Sequence, residues 1–198
     1  MLTVTKIYLR NVETLNYVDP GPVLLKYREL EIQVAASDLP INVKTLRTSS
    51  LKQLREGREA ALFALGVSHV QQTSVLVALA ESADYDFVLR WCHGDEISYC
   101  PVQLKELVSE ERSPDAAIET LIRRASNRPK TNTILLVRLN RNVDVDVATL
   151  PLRDFPYREL WLLWQSSPDG SRWSILGDAL TEPRRYDYDY PDSAGGTV

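Results

Sequence analysis

With 198 residues, 44% hydrophobic and 25% charged, the chain has the composition of a globular protein and is marginal in length for two domains. A formal net charge of -4 excludes global attraction to nucleic acid, so a phosphate-bearing partner would need a local basic surface. No apolar run approaches the ~20 residues that cross a bilayer. The opening MLTVTKIYLRN lacks a basic-then-apolar leader pattern, and two cysteines are few for a disulfide scaffold, so a cytoplasmic location is expected. Gly-rich phosphate loops, GxSxG, HExxH and paired CxxC motifs are all missing from the sequence.

In chain order, residues 2–10 (LTVTKIYLR) and 22–36 (PVLLKYRELEIQVAA) are rich in β-formers and partly alternating. They predict strands joined by the turn-like VDPGP, with SDLPIN at 37–42 as a break, making residues 1–48 an N-terminal β extension. From Ser49, SSLKQLREGREAALFALG places Leu51, Leu54, Ala61, Leu62 and Leu65 near one helical face, with Gly66 as the stop. Gly57 costs that helix ~1 kcal/mol relative to alanine. A strand over 70–80 and a hairpin over 85–106 follow.

SPDAAIETLIRRASNRPK reads as a helix capped by Ser113, with Pro114 in the first turn and Arg123 and Arg124 at the end that favours cations. TILLVRL at 133–139 predicts a buried strand, and ELWLLWQSSPDGSRWSILGD a second hairpin around Pro168-Asp169-Gly170. Residues 181–198 lack apolar periodicity and predict a flexible tail. The order from Ser49 predicts one domain over 1–198 with a core at 49–180, an α/β (α+β) architecture with a helix on each side of a mixed sheet.

A turn centred on Gly94-Asp95 sets Asp86 opposite Gln103 and Asp84 opposite Lys105. Alternation then sends Asp84, Asp86, Gln103 and Lys105 to one face and Phe87, Leu89, Val102 and Leu104 to the other. A one-residue slip would bury the charges, so the apolar pattern supports this register. Pro101 deletes a backbone donor in the second strand and predicts an edge or a bulge there. A carboxylate beside another oxygen donor suits Mg²⁺, and a nearby lysine suits a developing phosphate charge.

These residues resemble the PD-(D/E)xK nuclease superfamily, which has the restriction-endonuclease-like fold. Asp86 in YDFVL stands where the family has its metal-binding Asp, and Gln103-Leu104-Lys105 stands where it has an (E/Q)xK tripeptide. Glu59 in GREAALFALG, with Glu56 close behind, stands for the carboxylate many members carry on the preceding helix. The resemblance covers residues 49–140 and leaves residues 1–48 without a counterpart. It implies a Mg²⁺- or Mn²⁺-dependent endonuclease on DNA: Asp86, Glu59 and Gln103 at the metal, the Leu104 carbonyl as a further ligand, and Lys105 positioning the attacking water. Homodimerisation to cut two strands belongs to the same analogy. The sequence departs from the family in having Gln at 103 and no proline before the Asp, which keeps Asp84 open as the ligand. A non-catalytic interaction or DNA-binding module on the same fold is the alternative.

Other groups read more plainly. Cys92, His93 and Cys100 fit no standard zinc spacing, and His69 and His93 have no nucleophile constellation around them. Trp161, Trp164 and Trp173 are expected to pack the sheet. Arg123, Arg124, Arg128 and Lys130 are candidates both for gripping phosphates and for complementing a helix end.

Overall fold

Seven strands form one mixed sheet in the computed structural model, which describes residues 12–38, 52–80 and 82–192. The elements are α1 (Pro20–Ala35), α2 (Lys52–Gln71), β1 (Val75–Leu79), β2 (Phe87–His93), β3 (Glu96–Leu107), α3 (Ile118–Ala125), β4 (Ile134–Leu139), β5 (Glu159–Gln165), β6 (Arg172–Gly177) and β7 (Arg184–Asp189). Short 3-10 turns sit at Val12–Thr14 and Val147–Thr149. The strands lie side by side in chain order. β3, β4 and β5 run parallel, and each flanking pair is antiparallel.

Parallel neighbours need crossovers. The first carries α3. The second, residues 140–158, is irregular and lays Val143, Val145, Leu150, Phe155 and Tyr157 on the same side. α1 and α2 cover the opposite side, where Leu24, Phe63, Phe87, Leu136, Trp161 and Trp173 make the larger core. The mixed sheet with a helical layer on each side is therefore as the pattern predicts. No helix among the described residues is long and apolar enough to cross a membrane.

Four local expectations need correction. Residues 20–35 are a helix, not a strand. Asp19 caps it through Gly21 N–H at 2.8 Å and Pro20 opens its first turn, so VDPGP is a helix start rather than a hairpin turn. The predicted strand at 2–10 lies outside the described residues. The second helix runs past Gly66 to Gln71. A Cβ at Gly66 would stand 2.8 Å from the Tyr188 ring, so this glycine is a notch for β7 and not a stop. The third helix begins at Ile118, after an uncapped Ala117, while the Ser113 carbonyl accepts from Arg141 at 2.6 Å. Finally, Arg184–Asp189 is an ordered edge strand, with Tyr188 buried and its hydroxyl donating to Leu62 O at 2.7 Å. The predicted tail therefore belongs to the sheet up to Asp189.

Candidate active site

The β2–β3 hairpin has the predicted register. Phe87 pairs with Val102, Leu89 with Cys100 and His93 with Glu96, and Gly94 takes φ +59 in the turn, a conformation that favours glycine. Pro101 pairs opposite Val88 with no bulge. It precedes Val102, where β4 joins the other side of β3, so the missing N–H falls in a stretch paired only with β2.

Asp86 stands just before β2. Its Oδ2 accepts the Leu104 backbone N–H at 2.6 Å and also the Gln103 side-chain amide. β2 ends its ladder at Phe87, while β3 continues to Leu107. The Leu104 N–H would otherwise be an open donor on that flank, and the Asp86 carboxylate satisfies it. A strand residue directs its N–H and C=O toward the same neighbour. The Leu104 carbonyl therefore also faces the side from which Asp86 approaches.

Gln103 is buried and Lys105 exposed. Both share a face with Leu135 and Val137 of β4, the α3 side of the sheet. Lys105 opens onto a groove of about 580 Å³ bordered by Ser113, Asp115, Thr120 and Arg124. Asp86 and Gln103 are thus in contact, and Lys105 lies two residues on along the same face of β3.

Glu59 is not brought to them. It lies buried on α2, on the opposite face of the sheet, with its Oε2 3.0 Å from Arg138 Nε and its Oε1 3.4 Å from Arg58 Nη1. Arg138 and Arg58 both lie over the Trp173 ring, at 4.6 and 5.2 Å from its centroid. Arg58 also pairs with Glu31 at 2.9 Å. This is a charged network inside the larger core, where Glu59 answers a buried arginine. The signal available in the sequence was Arg138 itself, the one charge within ILLVRL, because a buried charge demands a partner. Glu56 is on α2 as well, paired with Lys52 at 3.3 Å. Asp84 lies outside β2, so its predicted pairing with Lys105 does not form. Its Oδ1 is instead 2.9 Å from Arg128 Nη2. Arg128 also stacks on Tyr157, so among the candidates Arg123, Arg124, Arg128 and Lys130 this one is already engaged.

Sequence reasoning missed a second polar cluster at the start of β5. Arg158 donates to the Cys100 sulfur at 3.2 Å and pairs with Glu159 at 3.1 Å, and Trp161 Nε1 donates to Glu159 at 2.8 Å. Burial pushes the Cys100 thiol up to about 12, although the Arg158 cation opposes this. Burial likewise raises the Glu159 carboxyl, against hydrogen bonds from Trp161 and the charge of Arg158. Cys92 is exposed and Cys100 buried.

Among the described residues no group of three or more His, Cys, Asp or Glu side chains is placed to hold a metal. At Asp86 the one charged oxygen donor is its own carboxylate: Gln103 turns its amide nitrogen toward it, and the Leu104 carbonyl faces the same flank. One carboxylate plus neutral oxygens is the smallest protein contribution that suits Mg²⁺, which keeps several waters and shares its coordination with substrate phosphates. Asp86 is thus the single carboxylate at this spot, its Oδ2 taken by two N–H donors, and Glu59 adds nothing to it. No family model matches this chain, and no curated protein or solved structure matches it either.

Proposed function

We propose that this protein is a divalent-metal-dependent nuclease of the PD-(D/E)xK kind, hydrolysing phosphodiester bonds in DNA. The observation that carries the reading is the Asp86 carboxylate held against the Gln103-Leu104-Lys105 strand, with the Lys105 ammonium exposed beside a groove. The order α2, antiparallel β1–β2–β3, α3 and parallel β4 supports it, since that is the sequence of elements on which the family builds its site. So does the fit of both signature positions to one strand pair.

In this reading Asp86 and the Leu104 carbonyl would hold Mg²⁺ or Mn²⁺, with the Gln103 amide turned over so that its oxygen, in place of its nitrogen, faces the ion. The ion supplies Lewis-acid polarisation of the scissile phosphate. Lys105 orients the water that attacks phosphorus and offsets negative charge as the bond to the leaving sugar oxygen breaks. Arg124, on the opposite bank of the groove, bears on the phosphates that flank the site. Glu59 takes no part.

A second reading rests on a specific observation. The Gln103 amide donates to Asp86, filling with a neutral group the place of a second carboxylate, which favours a non-catalytic DNA-binding module on the same fold. Metal separates the two. Wild type, Asp86→Ala and Lys105→Ala are incubated with plasmid, single-stranded and branched DNA under Mg²⁺ or Mn²⁺. The nuclease reading expects metal-dependent cleavage lost in both variants. Metal binding and cleavage both missing in wild type would leave the module, and cleavage surviving Lys105→Ala would move the site elsewhere.

A further inference from the structure

The sheet face that carries Asp86 and Gln103 continues toward the hairpin turn through three more cross-strand pairs, Val88 with Pro101, Arg90 with Tyr99 and Cys92 with Ile97. The smaller core takes no residue from β1 or β2, so α3 and the second crossover leave this part of the face to other groups. What meets it is the segment before α1, anchored where Val18 bridges to Val77. Tyr17 of that segment lies with its ring centroid 5.9 Å from that of Tyr99. The Arg90 guanidinium sits 5.6 Å from the same Tyr17 ring. Tyr85, next to Asp86, is near enough to act electrostatically on Tyr17. Burial and these phenols raise the Tyr17 hydroxyl, which stays a neutral donor to Val12 O at 2.9 Å.

Three features distinguish this cluster from an ordinary wet sheet face. Tyr17 and Tyr99, whose rings meet, are both half-buried rather than enclosed in the core. Arg90 rests on an aromatic ring rather than a carboxylate, and its Nε–H is buried with no hydrogen-bond partner. The cluster also lies in line with the candidate active site, because Arg90 and Asp86 are four residues apart on one face, roughly 13 Å at about 3.3 Å per residue. Aromatic rings beside a guanidinium that has no carboxylate partner among the described residues suit a ligand that presents flat π-faces and phosphate charge together.

We infer that Arg90, Tyr99 and Tyr17 form a platform for single-stranded nucleic acid, with a base stacked on tyrosine and a backbone phosphate on Arg90, feeding the same strand toward Asp86 and Lys105. The last clause rests on the nuclease reading; the binding does not. A duplex keeps its bases stacked within itself and offers no free face to the tyrosines, so the platform selects unpaired strands.

The test is equilibrium binding of the full chain to a labelled oligothymidylate and to a duplex of equal length, at low salt and without divalent metal. The single strand should bind at least about tenfold tighter than the duplex. Tyr99→Leu and Arg90→Gln should each weaken it about tenfold, while Tyr99→Phe retains it. The proposal is overturned by failure of oligothymidylate to bind, by equal or tighter duplex binding, or by wild-type affinity in Tyr99→Leu. If Tyr99→Leu fails to fold, wild-type affinity in Arg90→Gln overturns it instead. Tyrosine-dependent binding with no cleavage under Mg²⁺ would leave the platform standing and remove the nuclease reading.

Discussion

The Asp86 carboxylate accepts the Leu104 backbone N–H at 2.6 Å, closing the β3 ladder where β2 runs out. This contact gives Asp86 a structural duty whatever its chemistry. Asp86→Ala leaves the Leu104 donor and the Gln103 amide without their acceptor, and should destabilise the fold by about 1–3 kcal/mol in urea unfolding. A variant as stable as wild type would mean the contact is not maintained in solution. Cleavage assays on Asp86→Ala therefore need a stability control.

Gln103→Glu is the more informative change at this site. It removes the amide donor and sets a second carboxylate against Asp86, so in metal-free buffer it should lower stability by about 1–3 kcal/mol. If the site takes a divalent cation, excess Mg²⁺ should restore that stability and raise the melting temperature of the variant more than that of wild type, because binding to the native state alone shifts the unfolding equilibrium. An equal Mg²⁺ response in the two proteins would count against a cation at Asp86.

The Glu59–Arg138 pair should behave as a core element. Glu59→Gln or Arg138→Met alone strands a buried charge and should cost about 3–5 kcal/mol, whereas the double change to Met at both positions should recover most of the loss. Chemical denaturation of the three variants tests this. Glu59→Gln should also leave any Mg²⁺-induced stabilisation intact, since Glu59 faces away from Asp86. Loss of the metal response on this substitution would restore Glu59 to the site.

The two thiols should differ sharply in reactivity. Burial and a thiol held up to about 12 protect Cys100, while Cys92 is exposed. Thiol titration of the native protein near neutral pH should modify one cysteine rapidly, and the second only after denaturation. Two fast thiols would show that the Cys100 environment opens in solution.

Glu159 predicts a pH dependence of definite sign. Its folded-state carboxyl is raised above the ordinary 4.5, chiefly by burial, so the folded protein holds that proton more tightly than the unfolded chain. The stability it contributes is complete below 4.5 and is lost as pH rises through the folded value. Glu159→Gln lacks this loss. The stability difference between wild type and variant, followed by urea melts across a pH series, should therefore move against wild type as pH rises above 4.5. A flat difference would place Glu159 in a water-like environment.

Much of the candidate site was legible because a hairpin leaves little freedom. Period-two alternation of Phe87, Leu89, Val102 and Leu104 admits one register, and Gly94 supplies the turn, so the placing of Asp86, Gln103 and Lys105 follows from local pattern alone. Residues 20–35 were ambiguous for the opposite reason. LLKYRELEIQV carries apolar side chains at both strand and helix spacings, and only Asp19-Pro20 marked the start of a helix.

The sequence by itself determined the hairpin, its two faces, the second hairpin and a sheet with helices on each side. Tertiary structure alone decided where Glu59 points. A carboxylate among apolar residues of a helix can meet either a metal or a buried cation, and the choice fell to Arg138, reached only when β4 is laid beside β3. It also decided that RRYDYD is a strand, since an edge strand with polar side chains shows no apolar alternation and is ordered by backbone pairing to β6 and by the buried Tyr188. Contacts that depend on which strands become neighbours leave no period in the chain.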